Sequence, residues 1–469
     1  MKYIANLIVE HIEEIGSDDI VAVIMDGACE GAFKFITEKI PHIQCFICPT
    51  HSLDRFMSNI CSDKDTITVR GQGNFDWGED LFSRALKKVK FVVKTVTRHQ
   101  FPLDAYRRVK NEANAELEQG AEQYKDLIKY CDTRFMSQLL MAEQYLKSIT
   151  ILERLLVDAK FTSWLRNKSR STKEKFRKVK EYVRSTGLAT TVKLMMRTFK
   201  TCMLLMRMTD GKTGATLGKV YGYMCVLDKM YRSPIGGMSL CMREKIHAIF
   251  MARWQYFHIP LMTASYMVDP EYIAQEHTAD EIKEFRCVMR QMATDDHSYA
   301  NILMEYGTLR QRIELNAEDF KDDTPWTHAR EISALQWHDT YTFDLVHLLW
   351  FVRRLSSLPC SGSKCEHGWS IEAWVHSRRR NRMLQKTTEH MVRFHSNLLL
   401  EDSMNAWDVV VLPWEDELVI EDAGRWSQVS EGSSAPAASA SSTQPAVSPV
   451  SSTATDGDND DDDDDDDDD

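Results

Sequence analysis

Apolar residues first recur at helical spacing over 1–16, where Ile4, Leu7, Ile8, Ile12 and Ile15 share one face and Gly16 ends the run. Residues 20–25 are a short, β-branched apolar run that predicts a buried strand, with Asp26 at its C-terminal end. A helix over 28–40 is stopped by Pro41, a second strand covers 43–47, and a helix covers 52–60. This strand–helix–strand–helix order predicts an α/β layout for the first part of the chain. Beyond it the pattern turns helical, with periodic runs over 81–97, 111–129, 135–156, 173–184, 192–206 and 282–313. Breaks fall at Gly71–Gly73, at 211–218 and at Gly236-Gly237. An apolar helical run covers 340–358, and 366–400 predicts a final long helix. The pattern amounts to an α/β part plus a large all-α insertion, predominantly helical overall.

Composition changes this picture at the end of the chain. From 428 onward Ser, Ala, Thr and Pro dominate, and the last fourteen residues hold twelve Asp and no base. Such a segment cannot bury enough apolar surface to fold and predicts disorder. The tail also accounts for the net charge of −12: without those twelve Asp, 58 basic residues face 58 acidic ones. The remaining charge is segregated, because 160–200 holds thirteen Lys and Arg against Glu174 and Glu181. A basic block on a neutral body is an electrostatic footprint for nucleic acid, while a solvated helix face is the commoner use of such a run. The poly-Asp tail would cover that block, bind basic partners or simply solubilise the chain. No run of about 18 apolar residues is present, which argues against a membrane-spanning helix. The first residues lack the apolar stretch of a signal peptide. Eleven irregularly spaced Cys fit a reducing compartment better than a disulfide framework.

Several constellations carry candidate chemistry. Asp26, at the tip of a buried strand, is placed either to hold a divalent cation or to cap the helix that follows. Cys48-Pro49-Thr50-His51 follows the second strand, and an imidazole there would donate to a phosphate oxygen or relay a proton. His42, Cys45, Cys48 and His51, each three apart, also suggest zinc, but a strand over 44–47 would send Cys45 away from Cys48, so zinc is disfavoured. Asp132-Thr133-Arg134-Phe135-Met136-Ser137 starts a helix with an aromatic that either stacks on a base or packs in the core. Arg253-Trp254 through His258-Ile259-Pro260-Leu261 to Asp269-Pro270-Glu271-Tyr272 is an aromatic, apolar stretch of the kind that builds cores. Near the end, Lys364-Cys365-Glu366-His367-Gly368-Trp369-Ser370 sets a carboxylate and a Trp ahead of Arg378-Arg379-Arg380-Asn381-Arg382. A carboxylate followed two turns later by dense positive charge suits a metal ion beside a phosphodiester.

Taken in order, these elements resemble the hAT superfamily of transposases over most of 1–400. The Glu366–Arg382 region is similar to that family's Cys-Glu-Arg-x-Trp-Ser and Arg-Asn-Arg-Leu elements, with His367 and Met383 as departures. Asp26 and Ala28 match its Asp-Asn-Ala-x-Asn strand end, where Gly27 and Glu30 stand in place of Asn. Cys48 and His51 match its Cys-x-x-His, and Thr133-Arg134-Phe135 its Thr-Arg-Trp. The resemblance implies a partial RNase H-like core in 1–130, a helical insertion in 131–335, a C-terminal dimerisation region in 336–425 that completes the core, and a tail in 426–469.

The same resemblance assigns catalytic and metal-binding roles to Asp26 and Glu366, with His51 beside the scissile phosphate. Two Mg²⁺ or Mn²⁺ ions would drive an in-line phosphoryl transfer. Cys48, Arg134, Phe135, Arg378, Arg379, Arg380 and Arg382 would contact DNA. The family's first catalytic Asp lies on a strand upstream of the helix that opens this chain. The expectation is therefore a transposase-derived protein, inactive by itself, that self-associates through 340–400, binds DNA and resides in the nucleus. The alternatives are a metal-dependent strand-transfer enzyme and a zinc-binding or acidic-tailed chromatin protein.

Overall fold

A short parallel sheet with helices on both faces meets a much larger helical body. The computed structural model describes residues 1–118, 120–131, 134–210, 216–362, 371–373, 375 and 383–405, and all of them lie in one unit. The first elements are α1 (Lys2–Ile15), β1 (Ala22–Met25), α2 (Phe33–Lys39), β2 (Gln44–Ile47), α3 (Pro49–Ile60), β3 (Thr66–Val69), β4 (Gly73–Asp76), α4 (Leu81–Arg98) and α5 (Gln100–Ala115). The body continues through α6 (Met136–Val157), α7 (Ala159–Arg166), α8 (Arg170–Val183), α9 (Thr186–Asp210), α10 (Leu217–Arg232), α11 (Leu240–Phe257) and α12 (Pro260–Val268). It ends with α13 (Ala279–Met292), α14 (Asp296–Glu314), α15 (Thr324–Glu331), α16 (Ala334–Tyr341), α17 (Val346–Ser356) and α18 (Gln385–Asn405). The described chain is thus predominantly helical, with few and short strands.

β1 and β2 pair in parallel, with Ala22 opposite Gln44 and Met25 opposite Ile47. A parallel pair buries both faces, and the residues alternate accordingly. Val23, Met25 and Cys45 pack on a small core made by α1 and α2 from Ala5, Val9, Ile12, Ala32, Ile36, Ile40 and Ile43. Ala22, Ile24 and Phe46 face the large helical core. Each strand therefore ends between two cores, and its last residue is held firmly.

α3 ties this sheet to the body. Phe56 is fully buried, and its ring meets Phe199 of α9, Tyr231 of α10 and Phe250 of α11 edge-on at 6.2, 5.9 and 5.8 Å. Such edge-to-face contacts add to the burial itself. Further along, α10 and α12 approach so closely at Gly218 that a Cβ there would lie 2.6 Å from the Ser265 carbonyl oxygen. That contact requires glycine.

The helical pattern over 111–129 overreaches. α5 ends at Ala115, and 121–131 has no regular secondary structure; the Asn114 side chain ties it down, accepting from the Tyr124 N–H at 2.8 Å and donating to its carbonyl at 3.0 Å. The run over 282–313 is two helices, because Ala293 turns extended and Asp295 caps α14 by accepting from the Ser298 N–H. The run over 340–358 breaks between α16 and α17 at Thr342, whose hydroxyl donates back to the His338 carbonyl. Helix 366–400 is also interrupted in its described part, since 383–384 is not helical and α18 begins at Gln385. The β3–β4 hairpin, turning through 70–72, fills what reads in the sequence only as a glycine-rich break. The 428–469 tail lies outside the described residues.

Phe56→Ala removes the ring on which three helices close. It should cost about 3–5 kcal/mol of stability in a denaturant titration, and an unchanged midpoint would show that α3 is held by other means.

Candidate nucleic-acid and metal site

Parallel pairing brings Asp26 and Cys48 to the same end of the sheet, because each follows the last residue of its strand. The Cys48 N–H donates to the Met25 carbonyl at 2.9 Å and extends the ladder by one bond. Asp26 is half-buried and extended (φ −66°, ψ 151°), and its carbonyl accepts from the Cys29 N–H. Its carboxylate forms no capping bond to the 3₁₀ turn Gly27–Ala32 that follows. Of the two roles open to Asp26 in the sequence, the side chain does not perform the cap.

Gly27 has a local reason. A Cβ at that position would lie 2.9 Å from the Tyr256 hydroxyl, which donates to Glu30 at 3.2 Å. α11 thus closes on the end of β1 through Tyr256, and the departures Gly27 and Glu30 serve this contact. The rest of the 253–272 stretch is architecture, with Leu261, Ala264 and Tyr266 buried.

Cys48 opens α3, and Pro49 takes the first helical turn, where a missing N–H costs nothing. The Cys48 thiol is buried. It accepts from the His51 imidazole and from the Gly362 N–H at 3.3 Å. Burial alone would push this thiol up, but the bonds from His51 and Gly362 outweigh it and hold the thiol below its ordinary value. The chain therefore returns after more than three hundred residues to place Gly362 against the Cys48–His51 turn. Ser361 secures the return by donating to the Thr209 carbonyl at 2.8 Å, and the Thr209 hydroxyl meets that of Thr50 at 2.8 Å.

One turn past His51, Asp54 accepts from the Phe135 and Met136 N–H groups at 3.2 and 3.1 Å. These are orphan donors at the start of α6, so α3 caps α6 from outside. Burial pushes the Asp54 carboxyl up, and the two N–H bonds together with the His51 and Arg134 charges offset this only in part. Ser137 ties the turn by donating to the Arg134 carbonyl at 2.7 Å. Phe135 is half-buried against the main core.

The structure thus gathers Asp26, Cys48, His51, Arg134 and Phe135 around the sheet end and the start of α3. Asp54, Thr50, Thr209 and Gly362 belong to the same place and were not singled out by the sequence. Asp54 carries a signal, three residues after His51 on one helix face; Thr209 carries none. Glu366, Arg378, Arg379, Arg380 and Arg382 lie outside the described residues. The four candidate zinc ligands separate. His42 engages the Ser17 carbonyl at 2.8 Å, and Cys45 turns toward the small core, where burial pushes its thiol up to about 11. Among the described residues no group of three or more His, Cys, Asp and Glu side chains is arranged to hold a metal ion.

A second feature is the basic face of α7 and α8. Phe161, Phe176, Val179 and Val183 are buried, while Lys173, Lys175, Lys178, Lys180 and Arg184 are exposed. Arg177 is paired with Glu174; the other five form no ion pair among the described residues. Beside them the Trp164 and Phe101 rings stack at 5.1 Å, with Lys168 over Trp164. No described helix is long and apolar enough to cross a membrane.

Asp54→Ala should cost about 1 kcal/mol, the usual worth of a helix cap. It should also speed hydrogen exchange at the start of α6, as read by mass spectrometry. Unchanged exchange there would show that Asp54 does not hold α6. No known family model matches the chain, and no curated protein matches its sequence significantly.

Proposed function

We propose that this chain is a DNA-binding protein derived from a hAT-type transposase, engaging the phosphate backbone at the ends of β1 and β2 and along α8, and self-associating through its C-terminal region. The observation that carries the reading is the hydrogen bond from the Gly362 N–H to Cys48. It joins the Cys48–His51 turn to a residue 314 positions later in the sequence, two before the Lys364–Ser370 stretch. A parallel strand pair with helices on both faces, ending in Asp26 and Cys48, is what a partial RNase H-like core would supply. The activity proposed here is binding, carried by basic side chains at the sheet end and along α8. A nuclear location follows from the same reading.

Self-association is supported by α18, where Met391, Phe394 and Leu398 are exposed at helical spacing on one face. Replacing Phe394 and Leu398 by Glu should shift the sedimentation coefficient from that of an oligomer to that of a monomer. A wild-type chain that is already monomeric would overturn this part.

DNA binding is tested by fluorescence anisotropy on a labelled duplex across a salt series. Changing Lys173, Lys175, Lys178 and Lys180 to Ala should lower affinity on the order of tenfold or more near 0.1 M salt and flatten the salt dependence. No binding by the wild-type chain at low salt, or an unchanged salt slope in the variant, would overturn the reading.

A further inference from the structure

Arg253 is a buried cation with no counter-charge among the described residues. It is 6% exposed, its Nε has no hydrogen-bond partner, and its guanidinium forms no ion pair among the described residues. An unpaired buried charge is costly, and proteins keep one where something neutralises it.

Its surroundings locate it. On α11, Phe250, Arg253 and Tyr256 are three apart and share one face. Phe250 packs on Phe56 of α3, and Tyr256 closes on Gly27 just past Asp26. Arg253 therefore stands between α3 and the end of β1. Arg55, exposed on α3, is one turn beyond His51 on the same side of that helix. Arg55 precedes Phe56, whose ring meets Phe250 one turn before Arg253, so the two arginines lie on helices that pack together; burial first, and then the Arg55 charge, hold the Arg253 guanidinium below its ordinary value.

The carboxylate that Tyr256 touches is already used. Glu30 pairs with Arg70 at 3.1 Å and accepts from Tyr256, while Arg70 also donates to the Gly27 carbonyl. Among the described residues neither Arg253 nor Arg55 forms an ion pair. A lone arginine in a core would be a packing device; a second cation beside it makes that arrangement repulsive unless a ligand bridges them.

We propose that Arg253 and Arg55 form a binding site for a phosphate group, with Arg253 as the buried anchor and Arg55 as its outer clamp. Guanidinium forks match the oxygens of phosphate and bind it two at a time. The site adjoins His51 and the end of β1, so it deepens the DNA-binding reading and rests on it only for the source of the phosphate. The ligand is a DNA phosphodiester or a free phosphate, which share this chemistry.

The test is thermal unfolding of the whole chain in inorganic phosphate against sodium chloride at equal ionic strength, paired with duplex binding by anisotropy. The wild type should melt several degrees higher in phosphate. Arg253→Met should lose that shift while melting no lower than wild type in chloride, because a buried unpaired charge has been removed. Arg55→Ala, a surface change that leaves the fold intact, should lose most of the shift and decides the matter should Arg253→Met not fold. Equal phosphate shifts in wild type and Arg55→Ala, or no shift in the wild type combined with unchanged duplex binding by Arg55→Ala, would overturn the site. Weakened duplex binding in Arg55→Ala assigns the site to DNA. Loss of the phosphate shift with duplex binding intact assigns it to a free phosphate. Absence of any DNA binding alongside a wild-type phosphate shift overturns only the DNA reading.

Discussion

The placement of α3 governs everything else in the molecule. Its first residue follows β2, its middle is clamped by Phe199, Tyr231 and Phe250 around Phe56, and its N-terminal turn presents Thr50, His51 and Asp54. Because interiors are close-packed, those three ring contacts fix the azimuth of the helix and not just its depth. With the azimuth fixed, Asp54 reaches the start of α6 and the Cys48 thiol meets Gly362. A sheet of two strands could not by itself align groups from such distant parts of the chain; an anchored helix can.

Electrostatics then separate two regions. Around Asp54 charge is balanced internally, with the carboxylate held by two N–H donors and by the His51 and Arg134 charges. Around Arg253 no ion pair balances the charge among the described residues, and on the outer face of α8 Lys173, Lys175, Lys178 and Lys180 likewise form none. A neutral body with unneutralised cations at a strand end and along a helix can attract polyanions without being basic overall. The poly-Asp tail makes the whole-chain charge a poor guide to this.

Much of the fold is legible in the sequence where one period dominates. The runs over 1–16, 81–97 and 135–156 correspond to α1, α4 and α6 within a residue or two, and the β-branched run ending at Met25 corresponds to β1. Periodicity fails where a side chain overrides it. Asn114 binds the backbone of Tyr124 and holds the segment after α5 out of a helix, and Asp295 and Thr342 divide runs that the apolar pattern joins. The hairpin of β3 and β4 is too short for its alternation to stand out beside its glycines. The site was legible as separate elements, since Asp26, Cys48, His51 and Arg134 each carry a spacing signal. Their convergence was not, because what creates it, the parallel pairing of β1 with β2 and the bonds of Asp54 to the start of α6, joins positions that no local pattern links. Arg253 reads as part of an aromatic core stretch, and only its lack of a partner in three dimensions marks it out.

Site-directed photo-crosslinking addresses most directly whether DNA is engaged where these elements meet. A photoreactive amino acid in place of Phe135, at the turn held by Asp54, would be compared with the same probe at Met304, an exposed position on α14. Efficient crosslinking of a labelled duplex from position 135, competed by unlabelled DNA and weak from position 304, is the result expected. Duplex that is bound by the protein yet crosslinks no better from 135 than from 304 would contradict a DNA site at the end of the sheet.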